Sequence, residues 1–345
     1  MPRLVSQRLV LLLAVLLTDA ALVACGGGDD STAADGGHAN TGTGTGTTTD
    51  TTTTSGLTIE AVEPADGAVA RMNQKIHVRF SAGAEGDFIA PASVQLLVDG
   101  QPTRTWEYYD ETLGNREFRF VPLPVWSPSD THEATIVAGA AYANDPSLAL
   151  AEDFSWSFTI EDAPLSEQYE SATTPGLSQD ELATMAGAGP FAEADLVKDW
   201  QDPASTLYEV SIAVRPDDPN VVAFADRMLA SLTPLGGVGL AAPQVAIGRR
   251  MFVADVNNEQ RAFINPRIES YSADLYYGSP EGCLSIDGVS SIVGRPASLS
   301  VEFDTPAGDH VTGYALDNFD AKVWLHEYDH INGILQIDRE ERRDW

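Results

Sequence analysis

Between residues 57 and 161, apolar and polar side chains alternate in short runs separated by turn residues. Ile76-His77-Val78-Arg79-Phe80 puts every second side chain on one face, and residues 117–121 and 154–160 repeat that pattern. Runs at 94–98, just before Asp99-Gly100, and at 134–138 complete a set of strands at the spacing expected of an all-β sandwich. Residues 162–190 lose the period of two and are predicted to be a linker to a closing domain at 191–345.

The closing domain mixes periods. Asp218-Pro219 reads as an N-cap followed by a proline in the first helical turn, with Val221, Ala225, Met228 and Leu232 on one stripe and Pro234 and Gly236 as the stop. Residues 251–255, 262–265 and 298–304 read as strands, the last turning through Ala307-Gly308-Asp309 into 310–314. A further helix opens after Asp317 and stops at Gly333. On it Phe319, Val323, His326 and His330 are spaced by four, three and four residues, which predicts one inward stripe carrying both imidazoles. The expected fold class is therefore multidomain: an all-β sandwich, then an α+β domain with a central helix.

Composition narrows the partners. The 345 residues carry a formal charge of −31, and nucleic acid is excluded as an expected partner because its readers present a concentrated basic face. His77, His132 and His310 stand alone in sequence, as structural or exposed histidines do. The 2 cysteines, Cys25 and Cys283, lie in such different contexts that each needs its own account.

Cys25 closes a leader. Arg3 and Arg8 precede an apolar run at 9–17, and Leu22-Val23-Ala24-Cys25 follows, the order of an export signal over residues 1–25. That tetrapeptide resembles the lipobox of bacterial lipoproteins. The resemblance implies that Cys25 is lipidated and anchors an exported protein to a membrane of the cell envelope, the outer one where the cell has two. Residues 26–56, rich in Gly and Thr, hold too little apolar surface to fold and are expected to be a tether. In the sandwich, Glu63-Pro64-Ala65-Asp66-Gly67-Ala68 and Trp156-Ser157-Phe158-Thr159-Ile160 resemble bacterial Ig-like modules of surface proteins, which names no partner.

The chemistry lies near the C-terminus. His326-Glu327-Tyr328-Asp329-His330 puts two imidazoles at i and i+4 with Glu next to the first, a spacing that converges ring nitrogens on one ion. The same pattern occurs in zinc proteases. Gln336 stands where a metzincin has its third histidine, and an acidic ligand on a later helix is not expected in the short stretch after His330. The third ligand is thus expected upstream, at Cys283 in Glu281-Gly282-Cys283-Leu284-Ser285. A thiolate with two imidazoles leaves a fourth position open, as catalytic sites do. Farther upstream, Gly237-Val238-Gly239-Leu240-Ala241-Ala242-Pro243-Gln244 allows close backbone approach and offers a side-chain amide.

Together these three segments resemble the peptide deformylase family, whose signatures GxGxAAxQ, EGCxS and HExDH occur here in that order. Phe263-Ile264-Asn265-Pro266, Arg295-Pro296 and Asn332-Gly333 add to the likeness. The resemblance implies a metal-dependent hydrolase that removes the N-formyl group from formyl-methionyl peptides and releases formate. It implies one divalent ion, Fe2+ or Zn2+, held by Cys283, His326 and His330, with Glu327 as general base. Gln244 and the backbone N–H of Leu284 are the implied oxyanion donors, and Gly237, Val238, Gly239, Leu240, Glu281 and Gly282 the implied substrate contacts. Lys322, Leu325 and Asp287 depart from the family's usual Arg, Gln and Pro. The other readings are a formyl-peptide-binding surface lipoprotein without turnover, a related amidase, or a protease acting on unformylated peptides.

Overall fold

The computed structural model describes residues 56–81, 88–103, 116–162, 177–185, 187 and 189–340. The expected leader, Cys25 and the tether up to residue 55 lie outside the described residues. Among the described residues no helix is long and apolar enough to cross a membrane.

The strands of the first domain are β1 (Ile59–Glu63), β2 (Ala68–Ala70), β3 (Ile76–Phe80), β4 (Leu96–Val98), β5 (Gln101–Thr103), β6 (Glu117–Phe120), β7 (Thr131–Ile136) and β8 (Phe154–Ile160). They form one sheet in the order β1-β3-β6 and another in the order β2-β8-β7-β4-β5, with β2 parallel to β8. Alternation decides the packing. Ile76, Val78 and Phe80 of one sheet and Leu96, Ile136, Trp156 and Phe158 of the other are buried in a single core. Asp99 and Gly100 both take positive φ and close the β4–β5 hairpin, as the expected two-residue turn requires.

Two strands shift from their expected bounds. Val94 caps a 3-10 turn at Pro91–Ser93, so β4 starts only at Leu96. β7 begins at Thr131 and ends at Ile136, where its backbone pairing with β8 runs from Thr131 opposite Thr159 to Ile136 opposite Phe154.

The stretch 162–190 is more than a linker. Within it α1 (Gln179–Met185) presents Glu181 to Arg249 in a two-point ion pair of 2.6 and 2.7 Å, tying this segment to the closing domain.

In the closing domain, α2 (Pro219–Leu235) starts at the Asp218 side chain, which accepts from Asn220 N at 2.9 Å, and ends at left-handed Gly236. Pro234 was expected to stop the helix and instead lies inside its last turn. Next come β9 (Gly239–Ala241), β10 (Met251–Val256), β11 (Glu259–Tyr271), β12 (Leu275–Tyr276), β13 (Glu281–Cys283), β14 (Ile286–Ser291), β15 (Arg295–Pro296), β16 (Ser298–Asp304), β17 (His310–Asp317) and α3 (Asn318–Ile331). The main sheet is antiparallel in the order β17-β16-β11-β10-β9.

Helices cover both faces of that sheet. Met251 and Val253 of β10 pack with Phe224, Met228 and Leu232 of α2, whereas Phe252 and Ala254 pack with Trp324 and Leu325 of α3. A strand segment buried on both sides must be apolar, which is why Met251, Phe252, Val253 and Ala254 of β10 form an unbroken hydrophobic run before Asp255. α3 is consequently a central helix. The hairpin of β13 and β14 and the short β12–β15 pair stand beside it and carry Cys283, Glu281 and Arg295 to its flank.

The domains share buried contacts. Asn73 Nδ2 donates to Tyr208 O at 3.1 Å and Gly333 O at 3.3 Å, Lys75 and Arg119 pair with Asp338, and Ile334 sits in the core of the sandwich.

His77, on β3 beside Lys75 and Arg119, is held neutral mainly by burial and then by those two cations, with Asp338 opposing; its pKa is lowered from 6.5 to about 4. The unfolded chain takes up this proton first as pH falls. Stability should therefore drop between pH 6.5 and about 4 by up to roughly 3 kcal/mol from this residue. Chemical denaturation of His77→Gln should show a shallower decline than the parent over that window; parallel curves would contradict it.

Candidate metal centre

Cys283 ends β13, while His326 and His330 lie one helical turn apart on α3. Their three ligand atoms lie within 4.8 Å of one another, and Cys283 Sγ is 3.2 Å from His330 Nε2. Bonds of about 2.0–2.3 Å from one ion reach all three. The donor set fits a borderline-soft divalent ion such as zinc or ferrous iron. A carboxylate oxygen beside it, Glu327 Oε2, is buried without a protein partner.

The electrostatics prepare the ligands. Burial alone would raise the Cys283 thiol, but the imidazoles, His330 foremost, hold it well below its usual range, so the thiolate is favoured. Ser285 N and Gln244 Nε2 also point at the sulfur, at 3.4 and 3.5 Å. Glu327 behaves oppositely. Burial raises its pKa to about 7, against the pull of His326 and His330 and with a push from Cys283 and Glu281.

Glu281 was expected to touch substrate. Instead its carboxylate is fully engaged: His326 Nδ1 lies 2.9 Å from Oε2, and Arg295 grips both oxygens at 2.9 and 2.8 Å. It is a positioning residue that fixes the tautomer and direction of His326. Lys322 joins this support, with its ammonium 3.6 Å from Glu281 Oε1 and donating to the carbonyls of Tyr277 and Val293. Asp329 is buried between Arg295 and Arg339; Arg339 donates to its two oxygens at 2.7 Å each. Arg339 is followed in sequence by Glu340, Glu341, Arg342 and Arg343, and nothing in these neighbours signals that it is 1% exposed.

A cleft of about 420 Å³ reaches two of the three ligands, Cys283 and His326, while His330 is buried behind them. Gly237, Val238, Gly239, Gln244, Glu281, Gly282, Cys283, Leu284, His326 and Glu327 line it, together with Phe319 and Val323. The side chain of Leu240 is buried in the core beneath α2. One expectation fails: Phe319, expected on the inward stripe of α3, is the second residue of that helix and is 45% exposed at the cleft mouth.

β9 is the open edge of the main sheet. Asp255 N donates to Val238 O at 2.8 Å and Gly239 lies opposite Ala254, so Val238 and Leu240 bond toward β10 while Gly239 turns its N–H and C=O to the cleft. Glycine is required there for a second reason. A Cβ on Gly239 would lie 2.3 Å from Glu327 Oε1. Gln244 is fixed through its Oε1, which accepts from Ala241 N at 2.8 Å, leaving its amide N–H groups toward Cys283 and Ser285.

The family model described as polypeptide deformylase matches residues 197–344, which hold all three motifs. A peptide deformylase of Treponema pallidum is 44% identical over 140 residues, covering 40% of this chain and 85% of that protein. One from Cytophaga hutchinsonii is 40% identical over 141 residues, covering 38% of this chain and 75% of that protein. The crystal structure of peptide deformylase from Thermotoga maritima aligns at 35% identity with a TM-score of 0.40, over 43% of this chain and 97% of that one.

The purified full chain should bind one equivalent of divalent metal. Cys283→Ser should weaken that binding at least about tenfold, since hard oxygen replaces the thiolate, while Glu327→Gln should retain the ion; elemental analysis after dialysis against a chelator gives the answer.

Proposed function

The chain belongs to the peptide deformylase family, and on that footing we propose how its closing domain removes the N-formyl group from formyl-methionyl peptides, yielding formate and a free amine. The observation that carries the mechanism is the buried carboxylate of Glu327, with an unpartnered oxygen, set beside a Cys-His-His donor trio under an open sheet edge.

A divalent ion, Fe2+ or Zn2+, held by Cys283, His326 and His330 would supply Lewis acidity and make water nucleophilic near neutral pH. The protein does the remaining work. Gly239, on the free edge of β9, pairs with the extended peptide as an added strand. Val238, Leu284, Phe319 and Val323 offer apolar surface to the first side chain. Glu327 takes a proton from the attacking water and delivers it to the leaving amine, a task suited to a carboxyl with a pKa of about 7. The amide of Gln244 and the N–H of Leu284 face the oxygen that gains charge as the formyl carbon becomes tetrahedral. Water adds to the formyl carbon as its bond to nitrogen breaks, so the products balance as formate and amine.

Residues 57–161 support a finer reading, an Ig-like sandwich, through their two sheets around one core. Leu22-Val23-Ala24-Cys25 supports lipidation at Cys25 and anchorage of an exported enzyme at the cell envelope, on residues 1–25 as leader and 26–56 as tether.

The full chain, metal-loaded without oxygen, should release formate from a formyl-Met peptide and leave its unformylated counterpart intact. Glu327→Gln should lower kcat by about 10²–10⁴; equal turnover, or none by the parent with metal bound, would sink the reading. Gly239→Ala should bind the ion normally yet lose at least about tenfold in kcat, because its methyl group takes the space of the Glu327 carboxyl.

A further inference from the structure

The ionic support of His326 does not end inside the closing domain. From His326 it passes through Glu281, Arg295 and Asp329 to Arg339, each step a direct contact between buried groups. The outermost guanidinium then crosses the domain boundary: Arg339 Nη2 donates to Pro122 O at 2.9 Å, and Nη1 reaches Val121 O at 3.5 Å. Both carbonyls follow β6 of the sandwich.

The segment carrying Arg339 is seated by the same domain. Asn73 Nδ2 donates to Gly333 O, Ile334 is buried in the sandwich core, and Lys75 and Arg119 pair with Asp338. Gly333 has no room for a side chain, since a Cβ would lie 2.5 Å from Tyr208 O and 2.6 Å from Asn73 Nδ2. The residues that leave α3 are therefore threaded into the sandwich before they return Arg339 to Asp329.

We infer that the sandwich is a positioning element of the metal centre: it supplies the carbonyls and the seat that hold Arg339, and through Asp329, Arg295 and Glu281 it sets the orientation of His326. The physical reason is the cost of an unmatched buried ion. Asp329 faces two guanidiniums, and moving Arg339 leaves it to draw Arg295 away from Glu281. Glu281 then loses its two-point clamp, and His326 its fixed direction. The inference rests on the Cys-His-His reading of the centre and extends it to a second domain.

Cobalt gives a readout independent of turnover, because its visible absorption follows ligand geometry. In the full chain loaded with Co2+, a triple sandwich variant, Asn73→Ala with Lys75→Met and Arg119→Met, should release the ion to a chelator about tenfold faster and shift its absorption bands. Arg339→Lys, which keeps the charge but loses the fork, should do the same. Asp99→Asn removes a charge beside His132 within the sandwich and should change neither. Parent-like release and spectra in the triple variant or in Arg339→Lys, with cooperative unfolding retained, would overturn the inference. If the triple variant does not fold, Asn73→Ala alone, which removes the sandwich's hold on the Gly333 carbonyl, is read in its place by the same two measures. A parent that binds cobalt but releases no formate would count against deformylation and leave this test intact.

Discussion

A carboxylate removed from water stays an anion only next to cations, and the centre rests on two such carboxylates, Glu281 and Asp329. Burial alone would push both toward the neutral acid, yet the guanidiniums around them hold both below their usual range. Arg295 lies between the two and serves both. Charge thus alternates from Glu281 outward through Arg295, Asp329 and Arg339, and each member fixes the next. Such a network adds little net stability over apolar packing, but taking out one member leaves an unpaired buried charge at a cost of roughly 3–5 kcal/mol. Its value here is directional: the imidazole of His326 cannot rotate without breaking it.

The main sheet provides the rigid frame. Because β10 is buried on both faces, α2 and α3 are held at a fixed separation, and α3 carries two ligands and the base on successive turns. The third ligand comes from a hairpin that Gln244 docks through the sulfur and that Arg295 and His326 dock through Glu281.

Much of this was legible in the residues. Period and capping located α2, α3 and most strands, since a half-buried strand or a capped helix writes its burial into local sequence. The three ligands and Glu327 were legible because i, i+4 spacing has geometric meaning before folding. What could not be read depends on distant partners. Glu281 looks like a cleft residue beside Cys283, and only the arrival of Arg295 and His326 from other elements makes it a support. Arg339 has the neighbours of a solvated tail, and its burial is made by residues more than two hundred positions away. Phe319 was misplaced because a face is defined by what covers it, and cover is a tertiary property. The helix at Gln179–Met185 was hidden because its main tie, Glu181 to Arg249, reaches 68 positions along the chain.

The open edge of β9 has one more consequence. An exposed strand edge normally invites a second copy to pair with it and then a third, the start of a fibre. β9 is three residues long, bounded by Gly236 and Gly237 on one side and the 3-10 turn at Ala242–Val245 on the other, and its base is occupied by the Glu327 carboxyl. It offers too few unsatisfied groups to nucleate stacking, and enough for one short extended guest. The brevity that limits what the edge can hold also keeps a colloidal hazard from accompanying it.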